Sequence, residues 1–394
     1  MLKVKIIVGA NYGDEGKGLA THYFSQQAAT RGISCVNVLY NGGCQRGHTV
    51  ELLDGTRHIF HHFGSGTFDG ADTYFDRDFM VNPMEFCREF DELKSQGVVP
   101  ACYISNACRV TTPFDMITNQ IVEMSRDNRH GSCGMGIWET SQRYSAHDCS
   151  GLLWGEVRNL SRKNLRTWLN YIRLVWLPAR LKSYGINDIP VEYKRILENR
   201  WLIENFISDI YRMNNHCAVT DNFYNECSSE YMIFEGAQGL ALDWDNEKEY
   251  PHVTASKTGS GVPLLRCKNQ EDIEICYITR SYFTRHGAGR FTWVCPADQI
   301  NPLLIDYTNV ENEWQGKIRY GVFDMDDLLD RVDKDFEDSK KEPKTTASLF
   351  VTHLNYTNGD VHGNGSIEEL KGHFNKLYLS YDRFGQDVRI LNKQ

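Results

Sequence analysis

A short β-branched run, Lys3 to Val8, leads directly into Gly9-Ala10-Asn11-Tyr12-Gly13-Asp14-Glu15-Gly16-Lys17-Gly18. A buried strand, a glycine-rich turn and a helix start in that order form an anion cradle. Glycines let the backbone approach a phosphate, the helix N-terminus supplies partial positive charge, and Lys17 adds a full charge. The generic phosphate loop G-x-x-x-x-G-K-[ST] is missed twice. Asn11 stands where its first glycine belongs, and Gly18 replaces the hydroxyl residue. G-x-G-x-x-G is absent from the loop as well. The departure carries information because Asp14 and Glu15 lie inside the loop. A carboxylate beside phosphate oxygens is repulsive unless a cation intervenes or it acts as a base. Asp14 therefore reads as a magnesium ligand, a general base or both, and a helix-capping role for the acidic pair stays open.

A second strand, Ser34 to Tyr40, runs into Asn41-Gly42-Gly43-Cys44-Gln45-Arg46-Gly47-His48-Thr49, and His48 suits acid catalysis or charge stabilisation. Glu230–Phe234, Glu274–Thr279 and Ser348–Thr352 read as further core strands, each entering a polar or glycine-bearing loop. The alternation predicts an α/β fold with the chemistry at strand ends. The helix is expected from Leu19 onward. Leu165, Trp168, Leu169, Ile172 and Trp176 share one helical face and read as core. Asp324 to Lys344, rich in both signs, reads as a solvated helix face.

With 43 Lys and Arg against 52 Asp and Glu, the net charge of −9 excludes a protein that coats nucleic acid. No apolar run is long enough to span a bilayer, and no signal peptide is recognisable, so a cytoplasmic location is expected. The 12 cysteines include no C-x-x-C pair and read as reduced, mostly core thiols.

G-D-E-G-K-G followed by G-G-x-x-x-G-H-T resembles adenylosuccinate synthetase. Phe234-Glu235-Gly236-Ala237-Gln238-Gly239, Tyr250-Pro251-His252-Val253-Thr254 and Thr284-Arg285-His286-Gly287-Ala288-Gly289 resemble that family's F-E-G-A-Q-G, Y-P-Y-V-T and T-R-V-G-A-G. The resemblance implies one large domain over residues 1–394, on a mostly parallel central sheet with a helical insertion at about 100–225. It implies a magnesium-dependent ligase: a nucleoside triphosphate phosphorylates the 6-oxygen of a purine monophosphate, and the amine of L-aspartate displaces that phosphate. By position, Asp14 would take the ring proton and bind the metal, with the Gly47 carbonyl as a second ligand, and His48 would stabilise the moving phosphoryl group. Lys17 and Gln238 join the catalytic set. Asn11, Gly13, Glu15, Gly16, Lys17, Gly18, Gly47 and Thr49 would surround the triphosphate. Gln45, Arg46, Gln238, Leu242 and Thr254 would contact the substrate nucleotide. Gly131-Ser132-Cys133-Gly134 stands where the family has the phosphate clamp G-T-T-G, with Ser132 favoured over Cys133 as donor. The family is a homodimer in which a neighbour's arginine reaches that clamp; Arg143 lies near but aligns poorly.

Three departures bear on substrate choice. Where the family has T-K-L-D, this chain has Thr352-His353-Leu354-Asn355. An Asn amide offers one donor and one acceptor, matching adenine rather than the two N–H donors of guanine, so ATP or dATP is expected over GTP. The arginine-rich aspartate loop is shortened to Asn312–Gly321, leaving Lys317 and Arg319 for the aspartate carboxylates. The family's S-T-G-P-D-R becomes Ser380-Tyr381-Asp382-Arg383, with Ser380 and His353 expected near the triphosphate base. Together these resemble a bacteriophage branch, 2-aminodeoxyadenylosuccinate synthetase, which acts on dGMP and makes the precursor of 2-aminoadenine; such a protein would work in the host cytoplasm. The alternatives are an ordinary synthetase using IMP and GTP, and an inactive nucleotide-binding homologue.

Overall fold

The computed structural model describes residues 2–393 apart from 147, 268–271, 310, 312–313 and 340–344. Asn312 and Glu313 of the shortened loop, and the last residues of the charged 324–344 segment, thus lie outside the described residues. Ten strands form one sheet: β1 (Lys3–Gly9), β2 (Cys35–Leu39), β3 (Asp72–Phe75), β4 (Cys102–Ile104), β5 (Cys217–Val219), β6 (Tyr231–Gly239), β7 (Ile273–Arg280), β8 (Thr345–Thr352), β9 (Lys376–Ser380) and β10 (Val388–Asn392). Their spatial order is β10-β9-β8-β7-β1-β6-β2-β3-β4-β5, parallel throughout except for the β9–β10 pair. This is the α/β architecture expected from the alternation of strands and loops. β1 is flanked by β6 and β7, which arrive more than two hundred residues later in the chain. After Lys3 every residue of β1 is buried, as a central parallel strand covered on both faces requires.

α1 (Lys17–Ala29) starts two residues before Leu19, because the left-handed Gly16 (φ 98°) turns the chain straight into it and Lys17 and Gly18 belong to its first turn. Between β4 and β5 the chain is largely helical, including α2 (Pro113–Met124), α3 (Ile137–Ser145), α4 (Arg162–Tyr171) and α5 (Arg200–His216). Leu165, Trp168, Leu169 and Ile172 are core residues as expected, but Trp176 is only half-buried. From Ile172 to Trp176 the helix continues as a π turn, whose extra residue per turn rotates the last member of the stripe off the buried face.

Arg143 on α3 is fully buried. Its Nε and Nη2 donate to the two Asp115 oxygens, each at 2.8 Å, and further bonds reach the Val110 and Ser150 carbonyls. It pins α3 to α2 inside its own chain. Arg143→Met strands the Asp115 carboxylate and is expected to lower unfolding stability by about 3–5 kcal/mol, read from urea denaturation. A loss below about 1 kcal/mol would show the pair to be dispensable. Among the described residues no helix is long and apolar enough to cross a membrane.

Candidate active site

The carboxyl ends of β1, β2, β6, β7 and β8 open onto one cleft of about 1240 Å³. Ligands of open parallel sheets gather at such an edge. The loop after β1 forms its floor. Gly13 (φ 88°), Asp14 (φ 56°) and Gly16 (φ 98°) are left-handed, which turns successive backbone groups toward one concavity. Gly9 is required by close approach: a Cβ there would stand 2.6 Å from the Gln238 carbonyl. That approach follows from a register shift between β1 and β6, after Ile7 pairs with Glu235 and before Gly9 pairs with Gly239. The shift leaves Gln238 itself left-handed (φ 67°) at the cleft wall.

Asp14 and His48, supplied by separate strand ends, line this same cleft. The Asp14 Oδ2 lies 2.7 Å from His286 Nδ1, and its carbonyl accepts from Arg280 Nε at 2.6 Å. Burial works against the charged carboxylate, but His286, Arg280 and Lys17 outweigh it and hold Asp14 below the usual carboxylate range. Glu15 behaves differently. It is buried, accepts from the Asn11 N–H, has Lys17 Nζ at 3.7 Å, and is pushed by burial up to about 7.

His48 Nδ1 lies 2.6 Å from Glu235 Oε1. Glu235 also receives Arg46 Nη2 at 3.0 Å and both the backbone N–H and hydroxyl of Ser65. Burial disfavours the Glu235 charge, yet Arg46 and His48 lower it to about 2. Burial, then Arg46, lowers His48 to about 4 against the pull of Glu235. The imidazole therefore rests neutral, its Nδ1–H donated to a carboxylate that stays charged, a pairing that fixes both tautomer and ring orientation.

Of the residues singled out in the sequence, the cleft brings together Gly13 to Gly18, Gln45 to Thr49, Ser132, Cys133, Gln238, Leu242, Thr254, His353 and Asn355. Ser132 Oγ is held by Asn119 Nδ2 at 2.9 Å, and burial pushes the Cys133 thiol up to about 11, so it stays neutral. His353 is left-handed (φ 63°), and burial, then Arg280, keeps it neutral by lowering it to about 3. Four residues are placed elsewhere. Asn11 is buried between Thr279 Oγ1 (3.0 Å) and Arg331 Nη2 (2.6 Å). Ser380 is buried, its hydroxyl donated to the Asp382 carbonyl at 3.1 Å. Lys317 is 78% exposed and 3.6 Å from Glu311. Arg319 donates to the Gly287 (2.6 Å) and Gly289 (3.2 Å) carbonyls. Glu235, Arg280 and His286 went unassigned from sequence. Glu235 and His286 stood inside quoted motifs, but their partners lie across the sheet.

The family model described as adenylosuccinate synthetase matches residues 6–325, most of the chain. The chain belongs to the adenylosuccinate synthetase family. Members of that family are carbon–nitrogen ligases. A curated adenylosuccinate synthetase of Lactobacillus acidophilus is 29% identical over 335 residues, covering 81% of this chain and 71% of its own length. That of Prochlorococcus marinus is 28% identical, covering 73% of this chain and 63% of its own. The chain thus spans roughly two thirds of the length of these relatives. The fold is shared with the adenylosuccinate synthetase of Plasmodium falciparum (TM-score 0.67, 21% identity, 90% of this chain and 77% of that one). It is also shared with the succinoaminodeoxyadenylate synthetase of cyanophage S-2L, solved with dGMP and dATP (TM-score 0.64, 15% identity, 99% of this chain and 95% of that one).

Proposed function

We propose that the chain joins L-aspartate to C6 of dGMP with ATP as phosphate donor, releasing ADP and phosphate and giving the N6-succinyl derivative of 2-aminodeoxyadenylate. The observation that carries the reaction class is the meeting of Asp14 and His48 in one cleft, each oriented by its own partner. Asp14 takes the N1 proton of the purine as O6 attacks the γ-phosphorus. Once His48 takes up a proton at Nε2, with the charged Glu235 balancing the imidazolium, it donates that N–H toward the transferring phosphoryl group, on which negative charge concentrates. The aspartate amine then attacks C6 and the O6-phosphate leaves. Lys17, at the first turn of α1, faces the phosphates together with the loop N–H groups. Ser132 and Cys133 take the 5′-phosphate, and Gln238, Leu242 and Thr254 the nucleotide body.

The donor set suits magnesium carried in with the triphosphate. Asp14 is a carboxylate at the cleft and Gly47 an exposed carbonyl-bearing turn residue, while no trio of His, Cys, Asp or Glu that could cage an ion exists among the described residues. When bound, the ion neutralises charge between the phosphates. The choice of ATP rests on Asn355, exposed at the cleft in the turn after β8. The choice of dGMP rests on the loss of the arginine-rich loop, with the overall length shared with the phage enzyme in support. The proposed assembly is a homodimer, and Arg143 commits its guanidinium to Asp115, Val110 and Ser150 of its own chain.

The curated relatives' name favours the second reading, IMP with GTP. A matrix of dGMP, GMP, IMP and dIMP against ATP, dATP and GTP, read as aspartate-dependent phosphate release, separates the two. The expected maximum is dGMP with ATP or dATP. Turnover confined to IMP with GTP would overturn the proposal.

A further inference from the structure

We infer that His286 is a specificity-determining residue: it holds Asp14 and accepts a hydrogen bond from the exocyclic 2-amino group of the purine substrate. This rests on the dGMP reading above and names what meets the group that distinguishes dGMP from dIMP.

His286 lines the cleft with a side chain only 11% exposed, and Nδ1 is engaged with Asp14 Oδ2 at 2.7 Å. Its other nitrogen, Nε2, is buried and has no partner. An imidazole that donates Nδ1–H to a carboxylate presents a lone pair at Nε2. On the edge of guanine, N1–H and the 2-amino group are adjacent donors. A carboxylate facing N1 leaves the 2-amino group beside it, toward the carboxylate's own neighbour. Guanine thus completes the polar set, whereas hypoxanthine presents only C–H there and leaves a buried acceptor unpaired. The motif that Thr284 to Gly289 resembles has valine at this position, which offers the 2-amino group nothing.

The turn bearing His286 is fixed on two sides. Arg319 holds the Gly287 and Gly289 carbonyls. The 5′-phosphate loop abuts it, since a Cβ on Gly131 would stand 2.5 Å from Gly287 Cα and Ala288 N donates to the His130 carbonyl at 3.0 Å. Phosphate position and base position are therefore set by one rigid corner.

The test compares dGMP and dIMP, which differ only in the 2-amino group, by equilibrium binding to wild-type protein, His286→Val and His286→Asn. The wild type is expected to favour dGMP by about 10-fold and both variants to lose that ratio. The Asn side chain is too short to touch both Asp14 and the base, so one folded variant suffices. General damage to the site weakens both ligands together and leaves the ratio alone. Equal wild-type affinities, or a ratio kept in a folded variant, would overturn the role of His286. Wild-type turnover of dGMP, measured separately, reports on the substrate reading: turnover with an unchanged ratio sinks only His286, and absence of turnover sinks both.

Discussion

Asp14→Asn is expected to lower kcat by about 10²–10⁴-fold while the protein still binds purine monophosphate. The amide keeps the shape but cannot accept the N1 proton. It can still hydrogen-bond His286 through its oxygen, so the loop geometry is retained. The fully left-handed run Gly13-Asp14 matters here, because Asn is, with Asp, one of the few side chains that tolerate it. Aspartate-dependent phosphate release measures the loss, and an Asn variant within about threefold of wild type would remove Asp14 from the chemistry.

His48→Asn is expected to cost about 10²–10³-fold in kcat. In the proposed reaction the imidazole, supplied by the second strand end, is the group that faces the transferring phosphoryl. Glu235→Gln separates chemistry from positioning. It removes the charge that fixes the His48 tautomer but leaves the ring, so a loss of about 10-fold is expected. It also leaves Arg46 without its buried anion, so thermal unfolding is followed alongside kcat. If Glu235→Gln falls as far as His48→Asn with an unchanged melting curve, the carboxylate takes part in the reaction directly. If His48→Asn is near wild type, the imidazole has no role in phosphoryl transfer.

Local chemistry made the floor of the cleft legible. A strand ending in glycines, an acidic pair and a lysine suits an anion, and the loop after β1 has a concave backbone for one, with Gly13, Asp14 and Gly16 left-handed. The second glycine loop carried His48 by the same logic. The two cations of the shortened loop take other partners than the cleft. Lys317 turns to solvent and Arg319 ties down backbone carbonyls, because a cation's placement depends on which orphaned acceptors lie nearby. Ser380 and Asn11 also satisfy backbone and side-chain partners rather than the cleft.

The sequence by itself determined the glycine-rich loop after β1, the five strands β1, β2, β6, β7 and β8 of the central sheet, and membership of the ligase family, because glycine spacing and strand hydrophobicity are local properties. Only the tertiary structure decided which groups act together. His48 finds Glu235 at a separation of 187 residues, and Asp14 finds His286 at 272. The physical reason is the parallel sheet: β1 lies between two strands from distant parts of the chain, and their register, which no local periodicity encodes, sets which side chains face each other at the carboxyl edge.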